Sequence, residues 1–175
     1  MTSGSLTGSG TARHPLLRRS RPWPAYGASA CTLAYGGLKL YWALGGLALI
    51  AESPLPPEAI ADLLARTPGA VRGHWIGVAL SAAGIVAAFA TVSGWGRVFP
   101  RWLVLVGTWS LATLMVIRAV GQIIGGIQRL GLDPPPAARH TITWDLALWS
   151  PFFLVWGLLW AAVAWQYARD TRRRA

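Results

Sequence analysis

Lys39 and Arg118 are the residues best placed to do chemistry in this sequence, because each stands inside an otherwise apolar stretch where a charge needs a reason. Asp145 opens the last such stretch and Glu52 closes the first, so either carboxylate is placed to meet a snorkelling arginine. The preferred pair is Arg118 with Asp145. Gln122 follows Arg118 by one helical turn, and Trp42 shares a helical face with Lys39. The candidate set for a ligand site or an internal ion pair is therefore Lys39, Trp42, Arg118, Gln122 and Asp145.

Two uses of these charges are expected. In the first and favoured one they fix helix register and orientation, with Arg118 and Asp145 acting as an internal clamp in a structural or accessory membrane component. The alternative is a binder or transporter of a lipid-like or anionic small molecule, with Lys39 and Arg118 as counter-charges in a cavity walled by Trp42, Trp109 and Trp156. A proton or ion pathway ranks last, since it needs titratable groups at successive depths and the carboxylates here gather near one surface.

Other chemistries lack their signatures. His74 and His140 have no HxxxH, HxxE or CxxC spacing around them that would set two ligands on one face, so no metal is expected. The single cysteine, Cys31, excludes an intramolecular disulfide and a CxxC redox pair. A Gly-rich phosphate loop, a G-x-S-x-G elbow and a His-ligated haem site are all missing from the sequence. Nothing in it argues for an enzyme, and no cofactor is implied.

The elements that must position these residues follow from composition. Apolar and aromatic types make up 54% of the 175 residues and charged types only 13%, so water is not the main solvent. Four apolar stretches, 28–51, 75–95, 102–126 and 145–168, each reach the ~20 residues that a helix rising ~1.5 Å per residue needs to cross a ~30 Å hydrocarbon core. The expected fold is all-α: an integral membrane four-helix bundle, multi-pass in the cell membrane. Residues 1–24 read as a disordered basic tail, 25–168 as the membrane domain and 169–175 as a basic cytoplasmic tail. The first stretch is too long for a typical signal-peptide core and lacks a convincing cleavage site after it, so it is read as retained.

Basic residues set the orientation. Arg13, Arg18, Arg19, Arg21, Arg97, Arg101, Arg169, Arg172, Arg173 and Arg174 fall on one side, against Arg66, Arg72, Arg129 and Arg139 on the other, which places both termini in the cytoplasm. The net charge of +10 thus serves membrane orientation and not nucleic acid, because the arginines sit at chain ends and in loops. Trp23, Trp75, Trp95, Trp102, Trp144 and Trp165 fall near predicted helix ends, at headgroup level. Expected partners are the lipid bilayer and a second membrane protein or further copies of the chain.

Of the two outer loops, the one holding Pro56-Pro57-Glu58 suits either a short surface helix or a plain loop. Asp133-Pro134-Pro135-Pro136 reads as a stiff extended connector. Within the spans, Thr32, Tyr35, Gly36, Lys39, Trp42, Ala43 and Gly46 share one broad face, mixing small and polar types suited to a bundle interior. Gly121 and Gly125 on the Arg118 face permit close helix packing.

Two passages carry a resemblance. Leu40-Tyr41-Trp42-Ala43-Leu44-Gly45-Gly46 is one; Ile117-Arg118-Ala119-Val120-Gly121, then Trp144-Asp145, then Trp149-Ser150-Pro151 is the other. Their order and spacing resemble an uncharacterised bacterial family of small four-span membrane proteins, catalogued as domain of unknown function 3995, with its R-A-x-G, W-D and aromatic-S-P pattern. The resemblance implies four spans, directs attention to Trp42, Arg118, Asp145 and Pro151, and brings no activity.

Overall fold

Proline before or within the first turn marks where the helices start, and glycine follows the end of Trp23–Ala43 and of Arg101–Leu130. The computed structural model describes residues 22–93 and 98–172. The basic N-terminal tail up to residue 21, Trp95, Arg97, Arg173 and Arg174 lie outside them. Helix α1 spans Trp23–Ala43, with Pro24 in its first turn, where a missing N–H costs nothing. It ends at the Gly45-Gly46 pair: Gly45 takes φ 104°, the Gly46 N–H donates to the Tyr41 carbonyl at 2.8 Å and the Gly45 N–H to the Trp42 carbonyl at 3.0 Å. Only a residue without Cβ adopts that φ freely, and the paired bonds close a Schellman cap. The apolar run continues to Ala51, but as turns.

Helix α2, Pro57–Leu64, lies in the first loop and buries Leu63. Thr67 then caps α3, Pro68–Val92, its hydroxyl accepting from the Ala70 N–H at 3.4 Å. Arg66, between them at φ 52°, donates from Nη2 to the Ala43 carbonyl at 3.2 Å and so satisfies one of the open acceptors at the end of α1. Helix α4 covers Arg101–Leu130. Pro136 starts α5, Pro136–Trp144, which runs without a break through one π-helical turn, Asp145–Trp149, into α6, Ser150–Arg172. The last helical run therefore begins nine residues ahead of Asp145. Its polar first turns, which include Arg139 and His140, hid it from an apolar-run criterion.

The described residues form an all-α protein without strands. Three of its helical runs, Pro68–Val92, Arg101–Leu130 and Pro136–Arg172, are long and apolar enough to cross a membrane. Helix α1 packs along α3 on one side and α6 on the other, α4 packs along α6, and α3 meets α4 only sparsely. Pairs such as Thr32 with Gly84 and Lys39 with Gly77, where one residue number rises as the other falls, make α1 antiparallel to α3. Leu159 over Gly27 and Phe153 beside Tyr35 do the same for α6. Trp23 and Arg172 therefore lie at one end of the bundle, and the loops 44–56 and 131–135 at the other, called here the loop end.

Small residues govern the closest approaches. A Cβ on Gly36 would lie 2.6 Å from Ser81 Cβ, and one on Gly157 would lie 2.8 Å from Val116 Cγ2. Gly121 faces open space and a Cβ on Gly125 would touch only Arg129, at 4.0 Å. The close packing expected at this glycine pair is therefore not there; α4 meets α6 through Met115 and Val116, and the π turn through Gly126, instead. The long helices leave Leu80, Leu114, Ile117 and Leu158 exposed, as a hydrocarbon solvent would require.

Candidate functional site

The charged residues of the interior, Lys39, Arg118 and Asp145, lie toward the loop end, on α1, α4 and the π turn. Widening at Asp145–Trp149 lets the Ser150 N–H donate to the Asp145 carbonyl, five residues back, and brings the Ser150 hydroxyl under the carboxylate of Asp145. Ser150 Oγ donates to Asp145 Oδ2 at 3.4 Å, with both residues buried. On the other oxygen, Arg118 Nη2 donates to Asp145 Oδ1 at 3.5 Å, joining α4 to the last helix. The guanidinium carbon of Arg118 also sits 4.0 Å from the centroid of the Phe153 ring. An arginine suits this position because its plane stacks on an aromatic face while its edges keep donating. One edge remains open: Nη1 is buried and has no hydrogen-bond partner.

Lys39 takes a different route. Its stem passes over Gly77 of α3, where a Cβ would lie 3.3 Å from Lys39 Cγ. The ammonium stands 4.9 Å from the ring centroid of Trp42 and 5.2 Å from that of Tyr35. Because α1 stops at Ala43, Lys39 lies four residues from the end of its helix and not near the middle of a span. No carboxylate among the described residues lies within ion-pair distance of it. Its stem faces protein.

Aromatic residues frame the charges. Trp42, almost fully buried, meets His74 edge-on at 5.5 Å and Trp149 at 6.5 Å. Its indole N–H donates to the Ala48 carbonyl at 2.8 Å, and that of Trp149 to the Glu52 carbonyl at 2.6 Å. The two indoles thereby hold loop 44–56 across the end of the bundle. Glu52 contributes its backbone here, so Asp145 is the carboxylate that meets Arg118. One layer deeper, Tyr35 packs on Phe153 and Trp156, and the Trp156 N–H donates to Thr32 Oγ1 at 3.1 Å.

Of the five residues singled out in sequence, the structure joins Arg118 with Asp145 and Lys39 with Trp42. Gln122 is turned away, its Oε1 accepting from exposed Arg129 at 3.2 Å. Trp109 stands exposed on α4 and walls no shared cavity with Trp42 and Trp156. Tyr35, expected on the Lys39 face of α1, belongs to the cluster, as do Ser150 and Phe153, which the sequence reading left out of the candidate set. Ser150 was within reach of inference, since a hydroxyl one turn beyond a buried carboxylate is a natural donor; Phe153 carries no such signal.

A groove of about 470 Å³ lies between α1, loop 44–56 and the π turn, lined by Gly37, Leu38, Tyr41, Leu49, Leu148 and Phe152 among others. Neither Lys39 nor Arg118 lines it. His74 and His140 sit against different tryptophans, Trp42 and Trp144, and no group of three or more metal-ligating side chains occurs among the described residues. Among the described residues the geometry offers a charge-stabilising, hydrogen-bonding interior.

Comparison with known proteins returns one family. The model described as Protein of unknown function (DUF3995) matches residues 32–160, a range that takes in every residue of the cluster. No curated protein and no solved structure matches the chain.

Proposed function

We propose that this chain, which belongs to that family of unknown function, is a small structural or accessory component of the cell membrane that crosses the bilayer four times with both termini in the cytoplasm. The observation carrying the reading is the contact between Arg118 and Asp145, backed by Ser150 and Phe153, which spends an intramembrane charge on joining α4 to the last helix. Three runs already have spanning length and composition, and α1, at 21 residues, reaches roughly 31 Å between two of them. Its glycines, tyrosines and Lys39 lower its apolar character, but Gly36 and the Lys39 stem face α3 while Gly27 and Tyr35 face α6. Such a residue set is what a helix sheltered by neighbours tolerates.

Exposed apolar faces on α3 and α4 suit lipid, a second membrane protein or a further copy of the chain. Reporter fusions after Ser93 and after Arg172 are expected to give cytoplasmic signals, and one placed after Asp133 an external signal. A reporter after Gly46 decides whether α1 spans: an external signal supports four crossings, and a cytoplasmic one removes α1 from the spans. The clamp itself is tested by separating the two charges, singly and together.

A further inference from the structure

The groove of about 470 Å³ between α1, loop 44–56 and the last helical run falls within the range of ligand sites, about 300–1,000 Å³. Along α1 it follows Ala34, Gly37 and Tyr41, which share one face and cover about 10 Å of helix. It therefore runs along the bundle axis. Leu148 and Phe152 form the facing wall, and Ala48 with Leu49 stands at the loop end. Gly37 leaves the space unfilled, since a Cβ there meets nothing within 4 Å. The rings do not fold in to close it, because Tyr35 and Phe152 both pack on Trp156.

Leu49 adds a separate observation. It stands at φ 59°, a left-handed conformation that is costly for a residue with a Cβ. Indole bonds on either side hold it there, from Trp42 to the Ala48 carbonyl and from Trp149 to the Glu52 carbonyl. Backbone held in this way gathers at ligand clamps. Trp149 both lines the groove and fixes its wall.

We propose that this groove holds one acyl chain of an outer-leaflet lipid. The proposal rests on the membrane-spanning reading above, which puts the loop end at the outer face. Among the described residues no charged side chain lines the groove, and its hydrogen-bonding side chains are Tyr35, Tyr41 and Trp149, the last already given to Glu52. An anionic head finds no ionic partner inside and stays at the surface, whereas a hydrocarbon chain leaves no polar group unsatisfied on entering. Leu33, Leu40, Leu44 and Val155, each next to or one turn from a lining residue, are exposed. The groove is thus continuous with the surface that lipid chains cover. Its course along the bundle axis matches a chain lying along the membrane normal.

Photolabelling of the full chain in phosphatidylcholine vesicles tests this, with a small fraction of the lipid carrying a diazirine in one acyl chain and adducts located by peptide mass spectrometry. Labelling of segments 34–41 and 148–152 is expected to exceed that at Leu80 and Leu114 by about threefold, the modest factor that packing gives without a hydrophobic driving force. Gly37→Phe fills the groove and should bring both segments down to the Leu80 level, whereas Gly37→Ala should keep the excess. Leu148→Trp narrows the groove from the facing wall and should act like Gly37→Phe, so a folding defect in one variant does not decide the matter. Uniform labelling overturns the proposal, as does an excess that survives both bulky variants. An excess that vanishes when vesicle and probe are changed to phosphatidylglycerol also overturns it, since the chain and not the head is what the groove holds. Groove labelling below the Leu80 level, with Gly37→Phe turning a dimer into a monomer in native mass spectrometry, overturns the lipid and gives the groove to a second copy. Failure of the membrane reading would look different: the chain would not sediment with the vesicles.

Discussion

The guanidinium carbon of Arg118 lies 4.0 Å from the centre of the Phe153 ring while Nη2 of the same group reaches Asp145 at 3.5 Å. Stack and ion pair come from one side chain, and both partners belong to the last helical run. Arg118→Lys keeps the charge but not the planar group, and Phe153→Leu keeps the apolar volume but not the ring. Each is expected to cost about 1 kcal/mol, and the two together little more than either. Melting of the solubilised protein reads this as a drop of roughly 2–4 °C per variant. Fully additive losses would show that the two residues act independently.

Gly36 and Gly37 are neighbours in sequence with opposite demands. A Cβ at Gly36 would stand 2.6 Å from Ser81 Cβ, whereas one at Gly37 meets nothing within 4 Å. Gly36→Val should lose about 1–3 kcal/mol by overpacking α1 against α3. Gly37→Ala should be neutral or slightly stabilising, since it removes backbone freedom at a helical position. Similar melting temperatures for the two variants would contradict the α1–α3 register.

At the Trp156–Thr32 contact, an indole N–H donates to a buried hydroxyl that itself donates to the Ala28 carbonyl at 2.7 Å. Thr32→Val preserves shape and deletes the acceptor. The expected loss is about 0.6 kcal/mol, the average for polar contacts between membrane helices, with about 1.7 kcal/mol as the upper end. Unchanged melting would mean that the indole finds another acceptor.

On the far face of α4, Gly121 meets open space and Gln122 turns to Arg129. Gly121→Ala and Gln122→Ala should each stay within about 0.5 kcal/mol of the wild type. A large loss at either would place a partner on that face. The same pair of measurements made in bilayers and in detergent would show whether the partner is lipid.

Much of this was legible in the sequence, and for identifiable reasons. A charge inside an apolar run is visible without coordinates, which is why Lys39, Arg118 and Asp145 stood out. The face of α1 containing Thr32, Gly36 and Trp42 follows from period alone, and all three are buried. Hydropathy could not see that Gly45 ends α1, because the residues after it are as apolar as those before. The cap is a backbone event, governed by φ. The π turn at Asp145 and the hold of two indoles on loop 44–56 depend on local widening and on contacts as distant as Trp149 with Glu52. No local pattern specifies them. Gln122 shows the converse limit: one helical turn from Arg118 is neighbourhood, but a long arginine further along the helix took the amide.

The account turns on whether Arg118 and Asp145 act as one unit, and a double-variant cycle measures that directly. Arg118→Leu alone strands a buried carboxylate and Asp145→Asn alone strands an arginine, so each is expected to lose about 3–5 kcal/mol or fail to accumulate. Arg118→Leu with Asp145→Asn removes both charges, and it should melt several degrees above either single variant and express better than both. A double variant no more stable than the singles would contradict the clamp.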